Sequence, residues 1–147
     1  MTMGADGPGP LSAGDIFAGK TVALFSVPGA FTPTCSAKHL PGFVESADKL
    51  KAKGVDTIAC ISVNDVFVMN AWGKAQGVED KVLMLADGNG EFTQAVGLDL
   101  DASGFGMGQR AQRYSMVVKD GAVTHLNIEG PGEYKVSTAQ FMLDQLS

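Results

Sequence analysis

Residues 20–35 read KTVALFSVPGAFTPTC. The first half, Lys20 to Val27, is a short apolar run that includes β-branched residues and stops at Pro28-Gly29. Its length and the turn residues bounding it make it a buried strand. The second half opens a helix. Thr32 suits the N-cap, and Pro33 suits the first helical position, where its fixed φ and missing N–H both fit. Thr34 and Cys35 then stand second and third in the first turn. A strand running into a helix start begins an α/β unit, and in open α/β sheets sites form just outside the carboxyl ends of strands. Unpaired N–H groups and the helix dipole favour negative charge in that first turn. A thiolate at Cys35 would be stabilised there, and the thiolate is the reactive form of cysteine. Free cysteine is also a common inert core residue, so the stretch alone leaves both readings open.

Outward from this stretch the pattern keeps alternating. Leu40 to Lys53 spaces Phe43, Ala47 and Leu50 at helical intervals, with a kink expected at Pro41-Gly42. Asp56 to Val63 is a second buried strand, and Asn64-Asp65 caps a helix running through Met69 and Trp72 to about Gly77. Lys81 to Ala86 is a third strand, Phe92 to Val96 a short helix, and residues 99–109 a loop. Tyr114 to Lys119 and Ala122 to Ile128 form a hairpin around Asp120-Gly121. Ser137 caps a last helix burying Phe141, Leu143 and Leu146. Residues 1–14 are Gly- and Pro-rich and read as a loop. The order predicts one α/β domain over 1–147, a mixed central sheet with helices on its faces, the class to which the thioredoxin fold belongs.

Composition narrows the function. The chain has 147 residues, 45% hydrophobic, with only two cysteines, Cys35 and Cys60. That excludes a disulfide-stapled scaffold and a four-cysteine zinc module. A net charge of −5 argues against nucleic acid or an anionic membrane as partner. No apolar run is long enough to span a bilayer, and the N-terminus lacks a secretory pattern, so a cytoplasmic location with free thiols is expected. Only two of the 11 basic residues are arginines, Arg110 and Arg113, both just before the YSMVV strand. A guanidinium beside Cys35 would hold the thiolate and orient a two-oxygen substrate.

His39 follows Cys35 by one helical turn, which raises a cysteine hydrolase or a zinc site. Zinc would need Cys60 and His125 as further ligands, and both sit in strands. A hydrolase would need an oriented base and an oxyanion hole. Packing or a bond at the helix surface is the expectation for His39. Phe67, Met69 and Trp72 are expected in the core or an interface.

PGAFTPTCSAKHLPGF resembles the active-site segment of the type II, peroxiredoxin-5-like class of peroxiredoxins, whose Pro-x-x-x-Thr-x-x-Cys pattern falls on Pro28, Thr32 and Cys35. CISVNDVFVMNAWGKA, LADGNGEF, GMGQRAQRYSMVVKDG and LNIEGPGEYKVSTAQFML extend the resemblance in order along the chain. It implies a thioredoxin-like fold and a thiol-dependent peroxidase with no metal or organic cofactor. Cys35 would be the peroxidatic cysteine, attacking hydrogen peroxide or an alkyl hydroperoxide to give a sulfenic acid. Thr32 and Arg113 would hold sulfur and peroxide, and Pro28 would shield them. Some type II relatives pair cysteines at the spacing of Cys35 and Cys60, so Cys60 is a possible resolving thiol. Its mid-strand position favours a core role. Other relatives carry the resolving cysteine in the segment here written GEYKVS, which has none. The expected reductant is therefore external: glutathione or glutaredoxin, ahead of thioredoxin. A homodimer is expected. The N-terminus looks short for the family, which would remove pairing from a sheet edge. From a different class, the alternative is a non-catalytic peroxide-sensing or binding module on the same scaffold.

Overall fold

A computed structural model describes residues 1–146. Its centre is a five-stranded sheet in the order β5-β4-β3-β8-β9. β3 (Thr21–Ser26), β4 (Thr57–Ser62) and β5 (Leu83–Ala86) run parallel, and β8 (Tyr114–Lys119) and β9 (Ala122–Ile128) add an antiparallel pair. The three parallel strands are apolar because both faces of the sheet are covered. On one face lie α2 (Leu40–Glu45), α3 (Ala47–Ala52), α4 (Val66–Ala75) and α6 (Ala139–Gln145). On the other, α1 (Ala13–Phe17) and α5 (Glu91–Ala95) cover Val22, Leu24, Ile61 and Met116. This is the mixed, two-sided architecture expected of a thioredoxin-like fold.

Local chemistry sets several boundaries. Asp65 caps α4 by accepting from the Val68 N–H at 2.8 Å. Asp120 and Gly121 have φ of 48° and 81°, the left-handed pair that a two-residue hairpin requires. Phe25 of β3 stacks on Phe43 of α2 with ring centroids 4.1 Å apart. Burying two such rings contributes on the order of 2–3 kcal/mol each, and the stack seats the helix that carries the Cys35 turn.

Three expectations are corrected, and the helix after Cys35 takes a specific irregular form. Residues 1–14 are not a plain loop: β1 (Thr2–Gly4) and β2 (Gly7–Gly9) form a ribbon, and Ser12 and Asp15 build a capping box for α1. The ribbon lies along the end of β5, where the Met1 amine donates to the Ala86 carbonyl at 2.8 Å and the Thr2 hydroxyl to that of Met84 at 2.9 Å. Residues 99–109 include β6 (Asp99–Asp101), which pairs with β7 (Gln109–Ala111). The helix after Cys35 continues through Pro41 and Gly42. It takes a wide π turn over Cys35–His39, with the Leu40 N–H reaching back to the Cys35 carbonyl, and interrupts at Ser46 instead. A proline removes one helical hydrogen bond and crowds the preceding turn, and the wide turn just before Pro41 accommodates it. Finally, Thr138 caps α6, accepting from the Phe141 N–H at 3.0 Å, and Met142 takes the fully buried position while Phe141 and Leu146 are half-buried. Ser137 is used elsewhere.

Candidate active site

The β3 strand ends at Ser26, and the chain turns through Pro28–Phe31 into the helix. Asn64, from the end of β4, pins this turn by accepting from the Ala30 N–H at 3.0 Å. Phe31 is held at φ 63°, a left-handed conformation uncommon for a bulky residue. The helix starts at Pro33 as its sequence predicts, and its first bond runs from the Ser36 N–H to the Thr32 carbonyl at 2.9 Å. From the far side, the Trp72 indole N–H donates to the Ser36 hydroxyl at 3.0 Å, tying α4 to the same turn.

Two donors converge on the Cys35 sulfur. Arg113, just ahead of β8, places Nη2 3.1 Å from Sγ. Thr32 places its hydroxyl 2.8 Å from Sγ and 2.7 Å from the Gly29 carbonyl. A hydroxyl has one proton. With a thiol at Cys35, the S–H donates to Thr32 and the Thr32 O–H to Gly29. With a thiolate, the hydroxyl turns to the sulfur. The threonine therefore serves both states without moving. Its side chain is spent on the sulfur rather than on capping the helix.

His39 is the residue whose role changes most. It is fully buried rather than at the helix surface, packed against Phe25, Phe43 and Tyr134. Its Nδ1 lies 2.8 Å from Arg113 Nη1, and its Nε2 2.8 Å from the Ser137 carbonyl. Arginine only donates and a carbonyl only accepts. The imidazole is therefore neutral, with the proton on Nε2 and the lone pair on Nδ1 facing Arg113. Burial, and then the neighbouring Arg113 charge, push its pKa down to about 3. Its one lone pair is occupied by Arg113, so His39 has none left for zinc or for a general base. It orients the guanidinium that reaches Cys35.

The remaining predicted residues divide. Pro28 lines a cleft of about 210 Å3 with Thr34, Leu100, Gln112, Arg113 and Glu129, which meets the site through Arg113. Arg110 braces loops, donating to the Met107 carbonyl at 2.9 Å and the Val63 carbonyl at 3.0 Å. Cys60 sits opposite Phe25 in the sheet, fully buried in the same apolar cluster as Cys35. Burial, and then the Cys35 sulfur, push its thiol well up, which keeps it protonated. His125 lies in β9, 3.0 Å from the Thr124 hydroxyl.

The sequence did not expose Glu129 and Ser137. One buried carboxylate oxygen, Glu129 Oε2, accepts from the Lys135 N–H at 2.7 Å, the Ser137 N–H at 2.8 Å and the Ser137 hydroxyl at 2.7 Å. Nothing in the spacing of GPGEYKVS signals that arrangement.

This geometry matches known proteins. The Redoxin family model matches residues 2–143. Peroxiredoxin-2B of Arabidopsis thaliana is 52% identical over 92% of this chain and 83% of its own length. Peroxiredoxin-2E, chloroplastic, of the same plant is 51% identical over 92% of this chain, which spans 59% of that longer protein. Among solved structures, reduced Prx3 of Vibrio vulnificus in complex with hydrogen peroxide superposes with a TM-score of 0.96 at 53% identity, covering 99% of this chain and 91% of that one. The chain belongs to the Redoxin family, among the peroxiredoxins. Peroxiredoxins are peroxidases that use a thiol, and the relatives support that activity here.

Proposed function

We propose that Cys35 is the peroxidatic cysteine and that Thr32, Arg113 and Pro28 complete its site. The observation that carries this reading is the convergence of Arg113 Nη2 and the Thr32 hydroxyl on one sulfur. The Cys35 thiolate attacks one oxygen of the peroxide, an S–O bond forms and the O–O bond breaks. The attacked oxygen keeps its hydrogen and becomes the sulfenic acid. The other leaves as hydroxide or alkoxide and takes a proton from water. Charge thus moves from sulfur to the leaving oxygen. Donors already aimed at that region stabilise the shift without reorganising. Hydrogen peroxide and small alkyl hydroperoxides fit the cleft beside Pro28, and the peroxide in the Vibrio relative supports the first of these.

The reductant is an external thiol, glutathione or glutaredoxin in preference to thioredoxin. That thiol attacks the sulfenic sulfur and releases water, and a second thiol reduces the mixed disulfide. Two features support an external source. The 130–137 segment contains no cysteine, and Cys60 is in a central strand of the sheet. A homodimer is supported by three exposed aromatics, Phe31, Phe67 and Phe105, around the carboxyl end of the sheet. Two free cysteines fit a reducing, cytoplasmic setting.

Peroxide consumption with glutathione plus glutaredoxin, compared with thioredoxin, tests the activity and its reductant together. Turnover with the first and little with the second is expected. Rapid oxidation of Cys35 without turnover on either would favour the peroxide-sensing alternative. Mass spectrometry after one equivalent of peroxide plus glutathione should show a glutathione adduct on Cys35. A Cys35–Cys60 disulfide would make Cys60 the resolving thiol.

A further inference from the structure

We propose that Glu129 is a positioning residue for peroxide reduction, acting on Arg113 through Ser137 and His39. This rests on Arg113 serving Cys35 as described above. Glu129 follows β9 and is 7% exposed. A single carboxylate oxygen takes three donors from Lys135 and Ser137, all at 2.7–2.8 Å. Those bonds tie down the irregular 130–137 segment. The Glu133 N–H to Gly130 carbonyl bond within it, at 3.0 Å, holds only its first turn. The Glu129 N–H also donates to the Arg113 carbonyl at 3.0 Å, so one residue grips both the arginine's backbone and the loop facing it.

The Ser137 carbonyl is what that grip sets in place. It accepts from His39 Nε2–H, which keeps the His39 lone pair on Nδ1 and turned to Arg113. If the carbonyl moved away, the buried imidazole would lose its only acceptor for Nε2–H. The other tautomer would then point an N–H at a guanidinium that can only donate. The arginine would lose the partner that aims its second nitrogen at sulfur. Three donors on one oxygen favour a full negative charge. Burial pushes the Glu129 carboxyl up, but the Ser137 side chain and the Ser137, Lys135 and Val136 backbone outweigh it, so the group lies below its ordinary range and is ionised near neutral pH.

Glu129 also lines the cleft beside Arg113 and Pro28, so the experiment must separate positioning from direct contact with peroxide. In the full-length chain, Glu129→Gln keeps size and removes charge. Three readouts apply. Stopped-flow oxidation by hydrogen peroxide, followed through Trp72 fluorescence, should slow about tenfold, the size expected for losing a hydrogen bond to a charged group. Alkylation of Cys35 by iodoacetamide, mapped by mass spectrometry, should slow as well, although no peroxide is present. The 15N spectrum of His39 should lose its single Nε2–H tautomer. In a His39→Asn background, the same substitution should add less than about twofold, because coupled residues are not additive. A change only in KM for peroxide, with alkylation and tautomer untouched, would overturn the proposal in favour of substrate contact. A full tenfold loss in the His39→Asn background would overturn it too. If Glu129→Gln does not fold, Ser137→Ala removes one of the three bonds. It should slow oxidation and alkylation together by about two- to threefold, and unchanged rates would refute the relay. Failure of Arg113 itself to matter is read separately, from Arg113→Met.

Discussion

Cys35 and Cys60 are equally inaccessible, each 0% exposed and in one apolar cluster. Burial therefore does not decide which sulfur reacts. Their surroundings differ in donors. Cys35 stands in the first turn of a helix, with a guanidinium and a hydroxyl within 3.1 Å. Cys60 stands in the middle of β4, its backbone committed to the sheet and its side chain among Phe25 and Ile58. On the proposed reading, two groups of identical chemistry become a nucleophile and a core residue because one has hydrogen-bond donors aimed at its sulfur and the other does not. The core around Cys35 is less purely apolar, with the buried His39 built into it.

The sharpest way to break the contrast is to remove the sulfurs one at a time. Cys35→Ser should abolish peroxide consumption, a loss of at least about a thousandfold, since covalent chemistry needs the sulfur; retained turnover would refute the assignment. Arg113→Met should lower kcat/KM for hydrogen peroxide by about a hundredfold, the range seen when a preorganised donor is lost. Steady-state assays with a saturating reductant measure this, and a change below threefold would remove Arg113 from the site.

A gentler test uses pH and stability. His39 has a folded value of about 3 against an ordinary 6.5. Between those values the unfolded chain binds a proton that the native site refuses. The free energy of unfolding therefore rises with pH through that window and falls as the pH drops. From pH 6.5 to pH 5 the loss from this residue should be about 1.5 kcal/mol, measured by urea titration. The His39→Asn variant should lack that share of the slope; an unchanged slope would mean that the imidazole accepts the proton in the fold. Smallest of all, Cys60→Ser should leave glutaredoxin-supported turnover within about twofold, at some cost in stability from a hydroxyl in an apolar strand. A collapse of turnover in the folded variant would sharpen Cys60 into a resolving thiol.

Much of the fold is legible because its signals are local. The β3 and β4 runs, the Asp65 cap, Pro33 at the helix start and the Asp120-Gly121 turn each depend on neighbours a few residues away. Expectations fail where a distant group claims the residue. Ser137 has the chemistry of a cap, yet Glu129 takes both its N–H and its hydroxyl, and capping passes to Thr138. Gly- and Pro-rich residues at the N-terminus carry no periodic signal, yet backbone bonds to the end of β5 order them as a ribbon. Pro41 disturbs the helix through the turn ahead of it, which widens to a π turn over Cys35–His39.

At the site, the sequence by itself determined Cys35 at a helix start with Thr32 one turn before it and Pro28 in the loop that leads in, because all three lie within eight consecutive residues. Arg113 was a candidate by its scarcity and by resemblance to the peroxiredoxins, but 78 positions separate it from Cys35. Only the pairing of β3 with β8 carries its guanidinium to the sulfur. The burial and tautomer of His39, and the Glu129 anchor behind it, belong wholly to the tertiary structure. A tautomer is set by what faces each ring nitrogen, and here those partners come from a strand end and a loop far along the chain.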